Sequence, residues 1–204
     1  MSRRDGERRR RGMAAIVLSA LALLSGCSSR DQQEPAQTAP AAATIAAATA
    51  PAAAPGSTSW EKKGVKLRYP GNWRPKNDPD YELTLIPAGA SGEKRRITLD
   101  VPDLPPHFAW MIQMGRVEHD YLADLKKEHP DLKVIEAADA KIPDSAARLV
   151  RSTWHEGKQT YDDVVLLMIH ASAVYILDAQ TDEPHVGETR AAFDAIRSSL
   201  KWTK

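Results

Sequence analysis

Six histidines, 27 carboxylates and one cysteine are the groups in this chain that could hold a metal, move a proton or attack a carbonyl. His107, His119, His129, His155, His170 and His185 include no pair at i, i+4, the spacing that sets two imidazoles around zinc on one helix face. A metal centre would have to be assembled from distant histidines, and none is assigned. Asn77-Asp78-Pro79-Asp80 gathers three oxygen-bearing side chains. It lacks the spacing and closing Glu of a calcium loop, and Pro79 stiffens it, so it reads as a turn. Asp162-Asp163 offers adjacent carboxylates for acid–base work, but successive strand residues point to opposite faces, so the two would not converge on one substrate. Lys94-Arg95-Arg96 could meet anionic headgroups; a charged strand edge that discourages pairing is the favoured reading. There is no Gly-x-Ser-x-Gly, no phosphate-cradling loop and no dinucleotide fingerprint. No catalytic residue and no cofactor is assigned.

The elements that would position any site come from periodicity. Val65–Tyr69 alternates at period two and stops at Pro70-Gly71, a half-exposed strand. Residues 82–86 and 95–101 read as two further strands joined through the Gly89/Gly92 turn region. Trp110, Met114, Val117, Tyr121 and Leu125 recur at spacings of four and three, one face of a helix that His129-Pro130 ends. Strands follow over 132–142 and 147–154. Val164–Ile169 is a continuous apolar run that suits a central strand covered on both faces, and residues 174–179 complete a meander. Thr189, Phe193, Ile196 and Leu200 mark a closing helix after Pro184. The order β-β-β-α-β-β-β-β-α predicts an α+β fold, an antiparallel sheet of six or seven strands flanked by helices as an α/β/α sandwich.

Charge and composition divide the chain. Six of the 28 basic residues lie in the first eleven positions, and residues 27–204 hold 22 basic against 25 acidic, which excludes the basic footprint of a nucleic-acid binder. Residues 1–26 read as a signal peptide, an arginine-rich flank followed by an apolar run over 13–24 that is too short to span a bilayer. Leu24-Ser25-Gly26-Cys27 resembles the lipobox of bacterial lipoproteins. That resemblance implies that Cys27 is lipidated and becomes the new N-terminus, which anchors the chain to a cell membrane or outer membrane with its domain on the periplasmic, extracytoplasmic side. Residues 27–58 read as the lipidated Cys plus a disordered Ala/Pro-rich tether; residues 30–58 hold twelve Ala and four Pro. Residues 59–204 read as a single globular domain.

All five Trp lie at or after position 60. Packing against each other is their default; the alternative is that Trp73, Trp110, Met111 and Met114 line an apolar groove rimmed by residues 102–108. Tyr69-Pro-Gly-Asn-Trp73 after a strand, a mid-chain helix, a meander and a closing Phe193-Asp-Ala-Ile-Arg-Ser-Ser-Leu200 together resemble the PsbP-like fold. That group includes the photosystem II extrinsic subunit P and the DcrB- and LpqN-type lipoproteins, and the similarity covers nearly all of residues 60–202. It implies an accessory or interaction protein with no shared catalytic motif. Two readings follow: a non-enzymatic cell-envelope lipoprotein that engages an envelope protein partner, and a carrier for a lipid or cell-wall-derived ligand in the aromatic–Met groove. The first predicts an exposed apolar patch over a filled interior, the second a deep pocket.

Overall fold

The computed structural model describes residues 56–90, 94–104 and 112–203. The signal peptide, Cys27, nearly all of the tether, His107, Trp110 and Met111 lie outside the described residues. Ten strands and two helices run in the order β1 (Thr58–Lys62), β2 (Val65–Tyr69), β3 (Trp73–Pro75), β4 (Leu83–Pro87), β5 (Arg96–Asp100), α1 (Met114–Glu128), β6 (Lys133–Asp139), β7 (Ala146–Glu156), β8 (Gln159–His170), β9 (Ala173–Asp182), α2 (Val186–Ser199) and β10 (Lys201–Trp202). A 3-10 turn at Glu183–His185 leads into α2. The large sheet is antiparallel with order β3-β4-β5-β9-β8-β7-β6, and a second sheet has order β1-β2-β10.

The expected α+β architecture is present, with α1 on one face of the seven-stranded sheet. The other face carries α2 together with the three-stranded sheet, which the sequence reading did not anticipate. Alternation along β8 sets the two cores. Val164, Leu166 and Met168 join Leu67, Leu85, Leu177, Phe193 and Ile196 beneath α2 and the small sheet. Val165 and Leu167 join Val150, Ile176, Tyr121 and Leu125 beneath α1. The central strand is therefore buried on both faces, as a continuous apolar run requires.

α1 is one turn shorter than its apolar periodicity predicts. Gln113 takes an extended conformation (φ −123°, ψ 137°), and its carbonyl accepts from the amides of Arg116 and Val117 at 3.0 Å, so the helix begins at Met114. Ile112 and Val117, on either side of that start, both pack into the second core, the positions of a hydrophobic staple. The β8–β9 turn sets Ala171 (φ +47°) and Ser172 (φ +63°) both in the left-handed region. Two-residue hairpin turns of this type prefer Asn-Gly, so this turn is strained.

Candidate functional site

Polar side chains collect at the end of the meander where the β7–β8 turn, the start of β5 and the 3-10 turn meet. Lys94 Nζ donates to Gln159 Oε1 at 2.5 Å, and Gln159 Nε2 donates to Asp182 Oδ2 at 3.1 Å. His185 Nδ1 lies 2.6 Å from the other Asp182 oxygen. Beside them a shallow, open depression of about 510 Å³ is lined by Glu156, Lys158, Gln159, Thr160, Glu183 and Pro184. Burial, then the nearby charges of Glu156 and Asp182, push the Tyr161 phenol up from its ordinary value. A second imidazole–carboxylate pair joins His155 Nδ1 to Asp131 at 2.8 Å, and this hydrogen bond holds the Asp131 carboxyl below its usual range. Both pairs escaped the sequence reading. Asp131 and His155 meet only through the β7 register, although the three-residue spacing of Asp182 and His185 was visible. Such a pair is the base half of a catalytic dyad; among the described contacts neither imidazole meets a hydroxyl or thiol nucleophile.

The sequence-singled residues are placed as follows. Asp162 and Asp163 diverge. Asp162 turns to the α2 face, where Arg190 Nη2 (2.6 Å) and Arg151 Nη2 (3.2 Å) donate to it; Asp163 turns to the α1 face, where Ser152 Oγ donates to it at 3.5 Å. The basic run 94–96 is internally engaged: Lys94 with Gln159, Arg95 with Glu188 at 2.8 Å, and Arg96 with Gln180 at 3.1 Å. In the 77–80 loop the Asp80 amide donates to Asp78 Oδ1 at 3.1 Å, an Asx turn. Among the described residues no three His, Cys, Asp or Glu side chains gather into a metal-holding group.

The proposed aromatic–Met groove does not form from its described members. Trp73 on β3 is 2% exposed in the core beneath α2, whereas half-buried Met114 packs in the core beneath α1. A seven-stranded sheet separates them. Alternation decides this: Trp73 pairs with Pro87 on one face, and the first turn of α1 lies over the other.

What the structure does expose is an edge. β6 is the last strand of the large sheet, and its outer side pairs with nothing among the described residues. Val134 (47% exposed) and Ile135 (53%) are the large hydrophobic side chains left in solvent among those residues. The register slips between Val134 and Glu136, and Ile135 is the extra residue. The bulge leaves these two neighbouring residues exposed together, an apolar knob on the edge. The opposite edge, β3, has three residues and ends in Pro75, which cannot donate to a new strand.

No family model and no curated protein matches the chain. Solved structures do. The solution structure of cyanobacterial PsbP from Synechocystis sp. PCC 6803 superposes with a TM-score of 0.57 at 11% identity, over 72% of this chain and 92% of that one. The domain has a PsbP-like fold. LpqN of Mycobacterium tuberculosis, described as involved in cell envelope biogenesis, aligns over 72% of this chain and 91% of its own at 13% identity and a TM-score of 0.47. A Bacteroides thetaiotaomicron protein aligns over 69% of this chain and 46% of its own, at 10% identity and a TM-score of 0.46. The PsbP-like domain therefore shares an architecture, and its site must be argued from its own residues. No described helix is long and apolar enough to cross a membrane.

Proposed function

We propose that this chain is a membrane-anchored cell-envelope lipoprotein whose PsbP-like domain is a non-enzymatic interaction module, held to the membrane by a lipid on Cys27. The single observation that carries the reading is the β6 edge, unpaired among the described residues, with Val134 and Ile135 exposed. Unpaired strand edges template pairing with other chains, and natural proteins usually blunt them with charge or proline. Six of the seven β6 residues are exposed; Lys133, Glu136, Asp139 and the bulge at Ile135 blunt the edge in part, but no proline interrupts it and Val134 and Ile135 stay uncovered. The occupant this edge fits is an extended segment of an envelope protein, added as an eighth strand. Its backbone would supply the hydrogen bonds, and its alternate apolar side chains would cover the knob. The lipobox-like sequence supports the anchor. The non-enzymatic part of the reading draws on Asp162 and Asp163 turning to opposite faces, with Asp162 held by Arg151 and Arg190.

The test is hydrogen exchange on the full-length protein in its own envelope, compared with the same protein extracted in detergent. Strand addition predicts slowed exchange of the β6 amides in the envelope only, abolished by Val134→Lys with Ile135→Lys. Equal β6 exchange in both states sinks the docking reading. Mass analysis of the mature N-terminus checks Cys27 separately, and an unmodified cysteine overturns the anchor.

A further inference from the structure

The three-stranded sheet concentrates positive charge on a domain that is otherwise acidic. From residue 56 onward the chain holds 21 basic and 23 acidic residues, a net of −2. The segments of the small sheet and its turn, 58–69 and 201–202, hold Lys62, Lys63, Lys66, Arg68 and Lys201 against Glu61 alone, a net of +4, so the rest of the domain carries −6. Within the sheet the charges are sorted by face. Val65, Leu67 and Tyr69 of β2 are buried, and Lys66 and Arg68 alternate outward between them. Lys201 of β10 sits directly opposite Lys66. Like charges directly opposed across strands destabilise a sheet, so this pairing favours an external anionic surface.

The partners already in place leave part of the charge outward. Lys62 and Lys63 are tied to Glu82 at 2.6 and 3.6 Å, Lys63 also lies 3.7 Å from Asp103, and Lys66 shares Glu61 at 3.1 Å. The Arg68 guanidinium donates to the neutral Ser57 hydroxyl at 2.7 Å and keeps its charge. The place of this face decides its occupant. The described chain begins at Gly56, two residues ahead of β1, so the segment that carries Cys27 is covalently joined to the domain at this sheet.

We infer that the outer face of the three-stranded sheet, through Lys66, Arg68 and Lys201, docks on an anionic lipid bilayer. The inference rests on the membrane-anchored reading for its geometry. Headgroup attraction favours cations near the surface, and the −6 remainder is repelled from it, so the domain stands on the membrane in one orientation. Both cores and every described element lie within residues 58–202, so a protein of residues 28–204, free of Cys27, keeps the fold and separates lipid docking from lipidation.

Cosedimentation with phosphatidylcholine vesicles, with and without about one-third phosphatidylglycerol, reads the effect. Binding is expected to the anionic vesicles alone in about 20 mM salt, and to fall away toward about 500 mM as the Debye length contracts. Lys66→Glu with Lys201→Glu is expected to weaken it by about tenfold or more, whereas Lys126→Glu with Lys127→Glu, the same net change on α1, leaves it unchanged. Circular dichroism of both variants shows that each is folded. Equal binding to neutral vesicles, an equal loss in both variants, or capture by soluble polyphosphate without vesicle binding each overturns the bilayer assignment. Failure here with a lipidated Cys27 leaves the anchor standing; success with an unmodified Cys27 leaves peripheral docking alone.

Discussion

Removing Arg190 should cost more than removing the carboxylate it binds. Asp162 is the fourth residue of β8, and its side chain is 8% exposed. Arg190 reaches it from α2 with Nε at 3.1 Å and Nη2 at 2.8 and 2.6 Å, and Arg151 from β7 with Nε at 3.3 Å and Nη2 at 3.2 Å. Breaking a buried pair by deleting one partner costs about 3–5 kcal/mol, because the survivor is left charged and dry. Two features lower that figure: Arg151 remains, and both arginine side chains are one-third exposed. Arg190→Ala should therefore cost about 2–3 kcal/mol. Asp162→Asn removes the buried charge itself and leaves two cations able to reach water, so it should cost about 1–2 kcal/mol. In the double variant the losses should fall short of additivity by about 1 kcal/mol or more. Urea unfolding of residues 28–204, followed by tryptophan fluorescence, measures all three. A loss below about 1 kcal/mol for Arg190→Ala, or simple additivity, would show that the triad behaves as a solvated surface pair and would refute the reasoning.

Two further outcomes follow from the geometry. Lys62, donating to Glu82 at 2.6 Å, holds that carboxyl below its ordinary 4.5 against the opposing effect of burial. Its contribution is present above that ordinary value and lost as pH falls through the lowered one, so the Tm of Glu82→Gln should drop less than wild type between about pH 6 and pH 3. Ala171→Asn with Ser172→Gly relieves the left-handed turn and should raise stability by about 1 kcal/mol in thermal unfolding; a loss would mean that the native pair makes contacts worth more than the strain.

The elements with strong periodicity were legible in the sequence. β2, β8, β9 and α2 lie within a few residues of where alternation or helical spacing puts them, because each has a face that must be dry. β1, β3 and β10 were not legible as strands. Thr58–Lys62 has one apolar residue, Trp60, and β10 is two residues long, so neither carries a repeat to detect. Their pairing is set by β2 and β4, partners distant in sequence or read only locally. Divergence of Asp162 and Asp163 could be read, since it depends on strand geometry alone. Separation of Trp73 from Met114 could not, because it depends on which face each element covers. The β6 edge was legible as a strand, but its position at the rim is a property of strand order. The charge of the small sheet was hidden for the same reason: Lys201 meets Lys66 only once the last strand has paired with the second.

β1 enters the fold at the open end of its hairpin: Thr58 pairs with Tyr69, and the turn at Lys63-Gly64 lies at the far end. A mechanical load that arrives through Gly56 therefore meets the cross-strand bonds one at a time, as a zipper does, while β2 stays held by β10 and α2. Peeling five residues yields roughly 17 Å of extra reach at about 3.4 Å per residue and withdraws only half-buried Trp60 from the core. The strand nearest the tether is thus the most easily surrendered, and it can act as a slack-adjusting fuse. Were the proposed β6 partner and the proposed membrane anchor pulled apart, β1 would yield that distance at the cost of the Trp60 contact alone among the core residues, with β2 still paired.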